Sequence, residues 1–450
     1  MSPEGDRAPV TVVGPMFEQR PPDGSEGPVQ PGLLARARGH LMDLTPLRVS
    51  QQFRTLFVGR SISDVGDEIV AVVVPYQVFE ITHSTLAVGL LGLVQLVPVF
   101  VAPIVGGAVA DATERRRLVT VTFAILAVTS ALMAVNAFLP EPMLWPLYVF
   151  AFVSAAMYTF NRPALDTWPA RLVEPELFAS VSAVESGLGS AIRMTAPVLA
   201  GVLIAVIHPS GAFVVDVATF LVAIAFFRRM RPSPPSDEEA EVSWAAIVDG
   251  FRFLKGKRNL QSVFGADLIA MVFGFPMALL PAVALTLADG DQQRSAYLLG
   301  FLVAAPAVGS FLATLFSGRA RHVRRQGRAI MVAIVVWGGA IVVFGLADTL
   351  WLSLAMLAIA GAGDMVSGIF RSAIMLAAVE DRYRGRLGGI GMAVWATGPS
   401  VGDIESGVVS TVFTVPIAIV SGGILTIVGM AVLRWFAPGF WRYDARDPVP

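Results

Sequence analysis

The chain has no cysteine, which excludes disulfides, thiol chemistry and thiolate metal sites together. Histidine is scarce: His40, His83, His208 and His322 are widely separated and fall in the N-terminal tail or near the ends of helical stretches. A histidine-built metal or catalytic cluster is therefore not expected, and no cofactor is. Charged residues make up only 15% of the 450, too few for an ordinary soluble domain. Lysine is confined to Lys255 and Lys257, so arginine carries nearly all the positive charge. No glycine-rich phosphate loop closes on a lysine, so ATP is not expected as the energy source. The first fifty residues hold no apolar run followed by small residues, so no cleavable signal peptide is expected.

What the chain does have is grease. It is 55% hydrophobic with a mean hydropathy of +0.68, a composition that belongs in a bilayer. A spanning helix needs roughly 20 mostly apolar residues, and on that measure the sequence holds twelve. They lie near 54–80, 85–109, 117–138, 144–162, 178–206, 212–229, 260–286, 296–317, 328–347, 351–376, 387–412 and 415–435. The connections alternate in charge. Arg115 to Arg117, Arg171, Arg228 to Arg258, Arg319 to Arg328 and Arg382 to Arg386 fall in every second one, and the others hold Arg294 alone. Arginine is retained on the cytoplasmic side, so the pattern predicts an even number of spans with both termini inside.

The expected organisation is a disordered tail over 1–40, a six-helix bundle over 41–229, a cytoplasmic linker over 230–259, a second bundle over 260–435 and a tail over 436–450. The tail and the first part of the linker are rich in proline, glycine or acid. Trp244 to Leu254 repeats apolar residues at helical spacing and is expected to lie along the membrane surface. The halves echo each other: GGAVADATERRR at 106–117 returns as SGRARHVRRQGR at 317–328, and Arg162 has a counterpart in Arg371. Repeats related by an axis along the membrane normal are one way transporters are built.

Ionisable residues inside a span are costly and face a cavity, water or a partner. The first span is richest, with Arg60, Asp64, Asp67 and Glu68 on a single arc of about 100°. Arg60 and Asp64 stand one turn apart and can pair, which leaves Asp67 and Glu68 without a cation on their own helix. Two such carboxyls are candidates for proton exchange or cargo contact. The alternative is a purely structural ion-pair network reaching Arg193 of the fifth span. Glu185 and Arg193 share that span but are two turns apart and offset by about 80°, too far to touch. Asp364 and Arg371 share a face of the tenth span, and Asp267 lies in the seventh. Asp403 and Glu405 point to nearly opposite sides of the eleventh, where Gly398, Pro399 and Gly402 predict a kink.

Several of these stretches carry a resemblance. The turn after the second span is similar to the G-x-x-x-D-R-x-G-R-[RK] loop of the major facilitator superfamily, with Gly107, Asp111, Arg115 and Arg116 at matching positions and Ala112 and Glu114 departing from it. A glutamate there resembles the branch of enterobactin-type siderophore exporters and their drug-efflux relatives. GRSISDVGD, with Arg60, Ser63, Gly66 and Asp67, resembles a pattern of the same branch, whereas the enterobactin exporters are apolar there. AIRMTAPVLAG resembles the antiporter motif G-P-x-x-G-G through Pro197 and Gly201, with alanines replacing two glycines; a plain helix-packing seam is the alternative reading. Asp216, in AFVVDVATF, looks like a recurring structural element, and THS (82–84), LPEP (139–142) and GFRFL (250–254) extend the likeness from Leu41 to Trp435.

The resemblance implies an all-α polytopic membrane protein of twelve helices in two pseudo-repeated bundles. A central cavity is expected between the first, fourth, seventh and tenth spans. It implies proton-coupled export of an amphiphilic small molecule, siderophore or drug-like, across the cytoplasmic membrane by a monomer, with no nucleic acid involved. It also implies a gate, in which Asp111 meets the start of the eleventh span at Gly385 and Arg386 and locks one state of the carrier. Arg162 and Arg371, at corresponding places in the halves, are grouped with that gate. The alternatives are a polytopic membrane enzyme acting on a lipid-linked substrate, which would want a reactive cluster at one membrane face, and a transporter-like sensor, which would want a folded output domain.

Overall fold

The computed structural model describes residues 43–232 and 252–447, and within these it leaves aside the side chains of 99–112, 381, 382, 384 and 396. The N-terminal tail and most of the linker segment expected to lie on the membrane surface fall outside the described residues. Among those described, regular structure is helical throughout, without strands.

The helices of eight residues or more are α1 Gln51–Thr82, α2 Thr85–Ala112, α3 Arg115–Ala137, α4 Trp145–Thr167, α5 Phe178–Arg228, α6 Arg258–Phe273, α7 Leu280–Leu287, α8 Gln292–Leu315, α9 Gln326–Gly345, α10 Leu350–Ala378, α11 Asp381–Val412 and α12 Val415–Phe436. Local chemistry sets several ends. The Ser50 hydroxyl accepts from the Phe53 amide at the start of α1. Ser84 does the same for Ala87 at α2, and the Asp291 carboxylate for Arg294 at α8. These caps satisfy amides that a helix start leaves unpaired. Ahead of α1, the Asp43 carboxylate accepts from the Thr45 hydroxyl at 2.6 Å, the Thr45 amide at 3.0 Å and the Ser180 hydroxyl at 2.7 Å. The hydrogen bonds from Thr45 and Ser180 hold its carboxyl below the usual aspartate range.

Two boundaries have a geometry of their own. The fifth and sixth stretches part at His208, inside the expected gap at 207–211, and this single residue makes the turn, with φ 61° and ψ 169°, a conformation side chains avoid; the two limbs together are α5. Pro209 follows directly and presets the first turn of the second limb. Conversely, the seventh stretch is broken between α6 and α7, where Gly274, Phe275 and Pro276 interrupt it. Broken backbone at membrane depth persists only when its polar groups find protein partners. Here the Trp337 indole donates to the Gly274 carbonyl at 2.8 Å, and the Ala278 amide donates to the Asp403 carboxylate at 3.0 Å. α11 runs as one helix through Pro399. Its glycines serve close approach: a methyl at Gly398 would press on the Met271 side chain, and one at Gly402 on the Val272 carbonyl.

Seven described stretches are long and apolar enough to cross a membrane: Arg115–Ala137, Pro175–Arg228, Arg258–Leu287, Gln292–Leu315, Gln326–Gly345, Leu350–Ala378 and Val415–Phe436. α1, α4 and α11 reach comparable lengths but carry charges inside. Outward faces are apolar, as a lipid-facing surface must be; Trp351 and Trp435 are 80% and 78% exposed.

α1 lies along α5, α2 along α4 and α11, α3 along α4 and α5, α8 along α5 and α10, and α9 along α10 and α12. Small residues bring these backbones together. A Cβ on Gly201 would stand 2.5 Å from the Ala296 carbonyl oxygen, and one on Gly300 would meet the Pro197 carbonyl, so the Pro197 and Gly201 segment is a packing seam between α5 and α8. Gly309 meets the Ala358 carbonyl and Gly361 the Pro306 carbonyl in the same way, between α8 and α10. Gly309→Val is therefore expected to cost about 1–3 kcal/mol by overpacking and to lower the apparent Tm in detergent. Gly339→Ala, where the added methyl meets nothing within 4 Å, should leave it unchanged.

Candidate functional site

A cavity of about 380 Å³ lies where α1, α2, α4, the second limb of α5, the Met277–Pro281 segment, α8 and α11 converge. Both sequence halves build it, as expected. The expectation that the tenth span lines it is corrected: α10 supplies none of the described lining residues, because its close seam with α8 holds it back from the space. The wall is mainly apolar, with Val70, Val74, Leu91, Phe150, Phe220 and Val303 among its residues. Its polar groups are few: Gln95, Ser154, Tyr158 and two carboxylates, Asp67 of α1 and Asp403 of α11.

Asp67 accepts hydrogen bonds from the Ser63 hydroxyl at 3.3 Å and from the Tyr158 hydroxyl. Behind it sits Asp216, 1% exposed, taking a short hydrogen bond from the Ser130 hydroxyl. The other oxygen of Asp216 has no hydrogen-bond partner among the described residues, and it stands 2.5 Å from where a Cβ on Gly66 would be. The sequence pattern around Asp216 marks it as structural. Its bond to Ser130 of α3 is structural, but it also places a second carboxylate within electrostatic reach of Asp67, which nothing in its local sequence signals. Asp403 accepts from the Ala278 amide, and its own carbonyl abuts Gly89 of α2. One residue thus touches the cavity, the α6–α7 break and the other half.

The remaining ionisable groups gather elsewhere. Arg60 and Asp64 form the one-turn ion pair their spacing allows, at 3.9 Å. Arg60 also reaches Asp166 of α4, more closely, at 3.1 Å, and Arg162 reaches the same carboxylate at 3.4 Å. Asp166 lies beyond the expected end of the fourth span and was missed for that reason. Glu185 is within electrostatic reach of this group. Arg193 acts on Asp64 and Glu68 without an ion pair to either among the described residues. The Arg371 side chain is only 13% exposed; it forms a short ion pair with Asp267 of α6 and lies 3.5 Å from Asp364. Its counterpart Arg162 is half exposed and stacks over Trp395 of α11 at 5.7 Å, so the two arginines occupy different environments.

Of the loop residues, Arg116 pairs with Glu114 at 3.3 Å and donates to the Met230 carbonyl at 3.1 Å, tying the start of α3 to the end of α5. Arg115 is 8% exposed. The side chains at Gly107 and Asp111 lie outside the description. Arg386 of α11 stands over the Tyr383 ring, and among the described residues nothing approaches within 4 Å of a Cβ built on Gly385, Gly388 or Gly389. The described residues include no group of acids and histidines able to hold a metal.

Removing one member of a buried ion pair costs about 3–5 kcal/mol, because the other charge is left uncompensated. Arg371→Met should accordingly lower the apparent Tm in detergent strongly. Adding Asp267→Leu to it should recover part of the loss, since of the two carboxylates left bare only Asp364 then remains.

The comparisons with known proteins agree with this architecture. The family model described as transmembrane secretion effector matches residues 42–447. Enterobactin exporter EntS of Citrobacter koseri is 28% identical over 414 residues, covering 91% of this chain and 97% of its own. EntS of Shigella flexneri is 28% identical over 397 residues, covering 87% and 93%. Among solved structures, a variant of nucleoside transporter NupG superposes with a TM-score of 0.71 at 12% identity, covering 86% of this chain and 99% of its own. A bacterial homolog of the human lysosomal transporter Spinster, in an inward-facing and unoccupied conformation, gives 0.66 at 16%, covering 88% and 96%. At such identities the structural likeness speaks for the fold, and the family match speaks for descent. The chain belongs to the transmembrane secretion effector family of major facilitator superfamily transporters.

Proposed function

We propose that this protein is a secondary exporter of the cytoplasmic membrane, carrying an amphiphilic small molecule outward against protons by alternating access. The observation that carries the reading is the cavity between the sequence halves, apolar in most of its wall and holding Asp67 and Asp403. An amphiphile needs the apolar surface, and proton coupling needs a carboxyl that cargo and proton reach from the same space. Relatives named as enterobactin exporters support a small-molecule cargo, with a siderophore or a drug-like compound both in range.

On this reading the helices make twelve spans in two bundles, α5 contributing two and α6 with α7 one. Support comes from packing that recurs six spans apart: α2 on α4 and α8 on α10, α3 on α4 and α9 on α10. Both termini face the cytoplasm, as the arginine pattern requires. The opposite ends of α2 and α11 meet tightly, with Thr85 and Ser410 hydroxyls 2.7 Å apart and Gly407 against the Leu86 backbone. Gating is assigned to the basic loop, where the Asp111 carboxylate would meet the N-terminal turn of α11 near Gly385 and Arg386. A helix start favours a negative group there, and Arg116 holds the loop in place.

In everted membrane vesicles energised by a proton gradient, export of enterobactin and of a lipophilic dye should collapse with a protonophore. Asp67→Asn should lower the gradient-driven rate at least tenfold, whereas transport equal to the parent would sink the coupling role. Because the chain lacks cysteine, a single Asp111→Cys can be labelled cleanly. It should react with an impermeant maleimide in everted vesicles and not in intact cells.

A further inference from the structure

We infer that the basic end of the second half carries a site for an anionic phospholipid, formed where the segment after α12 folds back and sets one indole beside two arginines. The site lies apart from the cavity and holds whether or not the cavity carries cargo.

The residues after α12 turn back onto the bundle. Pro438–Trp441 forms one helical turn, and the fully buried Phe440 anchors it. The Phe440 carbonyl lies against Gly327 of α9, where a Cβ would leave it no room. Further on, Tyr443 is buried as well, and the Ala445 amide donates to the Arg324 carbonyl at 2.9 Å. Held in this way, the half-buried Trp441 lies under two guanidinium groups. Arg434 of α12 stands 4.1 Å from the ring centroid and Arg328 of α9 stands 5.3 Å from it.

Stacking uses the flat face of a guanidinium and leaves its in-plane N–H groups free to bind. Both arginines are exposed, and neither has an ion pair or a side-chain hydrogen bond among the described residues. The acids of the segment, Asp444 and Asp447, do not pair with them there; Asp444 accepts from the Arg446 amide. Two positive charges gathered on one ring repel each other until an anion joins them. Arg324, Arg325 and Arg442, also exposed, add charge of the same sign nearby in sequence.

The source of the anion follows from what borders the pair. Trp435 and Phe436, directly after Arg434, are exposed, and so are Val428 and Val432 further along α12. Such a surface belongs in lipid, tryptophan favours the interface, and arginines at headgroup level draw anionic lipid. Acyl chains would lie along α12 while the phosphate bridges the two guanidinium groups.

Native mass spectrometry of the full chain, purified in neutral detergent and stripped of lipid, tests this. Dioleoyl phosphatidylglycerol should bind more tightly than dioleoyl phosphatidylcholine, which has the same tails and no net charge. Arg328→Gln and Arg434→Gln should each reduce that preference roughly fivefold, and the double variant should remove most of it. Trp441→Leu, which takes away the common ring, should weaken phosphatidylglycerol about as much as one arginine loss, and Trp441→Phe should restore most of the binding. These two variants decide the matter if the glutamine variants do not fold. Arg294→Gln, at the start of α8 and paired with Asp289 at 3.3 Å, should change nothing. Equal affinity for the two lipids, or a preference that survives the double variant, would overturn the inference. So would displacement of phosphatidylglycerol by an equal concentration of inorganic phosphate, which would make this a site for a free anion. Neutralising the linker acids Asp237, Glu238, Glu239 and Glu241 together should leave the preference at the parent's value; a several-fold gain would identify that stretch as the occupant instead.

Discussion

A charge held in hydrocarbon has to meet a counter-charge, a hydrogen-bond donor or water, and the interior of this protein is arranged by how each charge does so. Arg371 is enclosed by two carboxylates. Arg60 and Arg162 share Asp166. Asp216 is capped on one side by Ser130. Among the described residues, Asp67 and Asp403 stand at the wall of the cavity and are met there by hydroxyl and amide donors rather than by bases. The structural charges and the chemically available ones are thus separated by the sign and kind of their partners. The same constraint governs the backbone. The interruption between α6 and α7 survives because Trp337 and Asp403 take up the carbonyl and the amide it frees.

Packing supplies the second layer of organisation. Lipid offers helices no hydrophobic reason to associate, so close backbone approach through small residues has to do it. Three seams follow this rule. Gly201 and Gly300 join α5 to α8, Gly309 and Gly361 join α8 to α10, and Gly89 and Gly92 seat α2 on the backbone of α11 at Asp403 and Ser400. The first and third of these join elements from different halves of the chain, beside the cavity both halves enclose.

Hydropathy made most of the helices legible, and their observed ends lie within a few residues of expectation for α2, α3, α8, α9, α10 and α12. It located the break between the two limbs of α5 but not its form, a single residue of positive φ at His208. It missed the break at Gly274, which distant side chains patch. The charges of α1 were legible as a group, but only some of their partners were. Helical spacing favoured Arg60 with Asp64, yet Asp166, 106 residues away, lies closer, because tertiary packing decides between two carboxylates that local geometry cannot rank. The membership of the cavity was only partly legible for the same reason: which helices border a space depends on which of them are drawn together by glycines, and α10 is drawn to α8.

The turn at His208 also sets distances along the chain. One residue joins the two limbs of α5. One limb carries Pro197 and Gly201, clasped to α8; the other carries Asp216 and the Phe220 that walls the cavity. Clasp and wall therefore belong to one element, tethered with no spare length of loop between them.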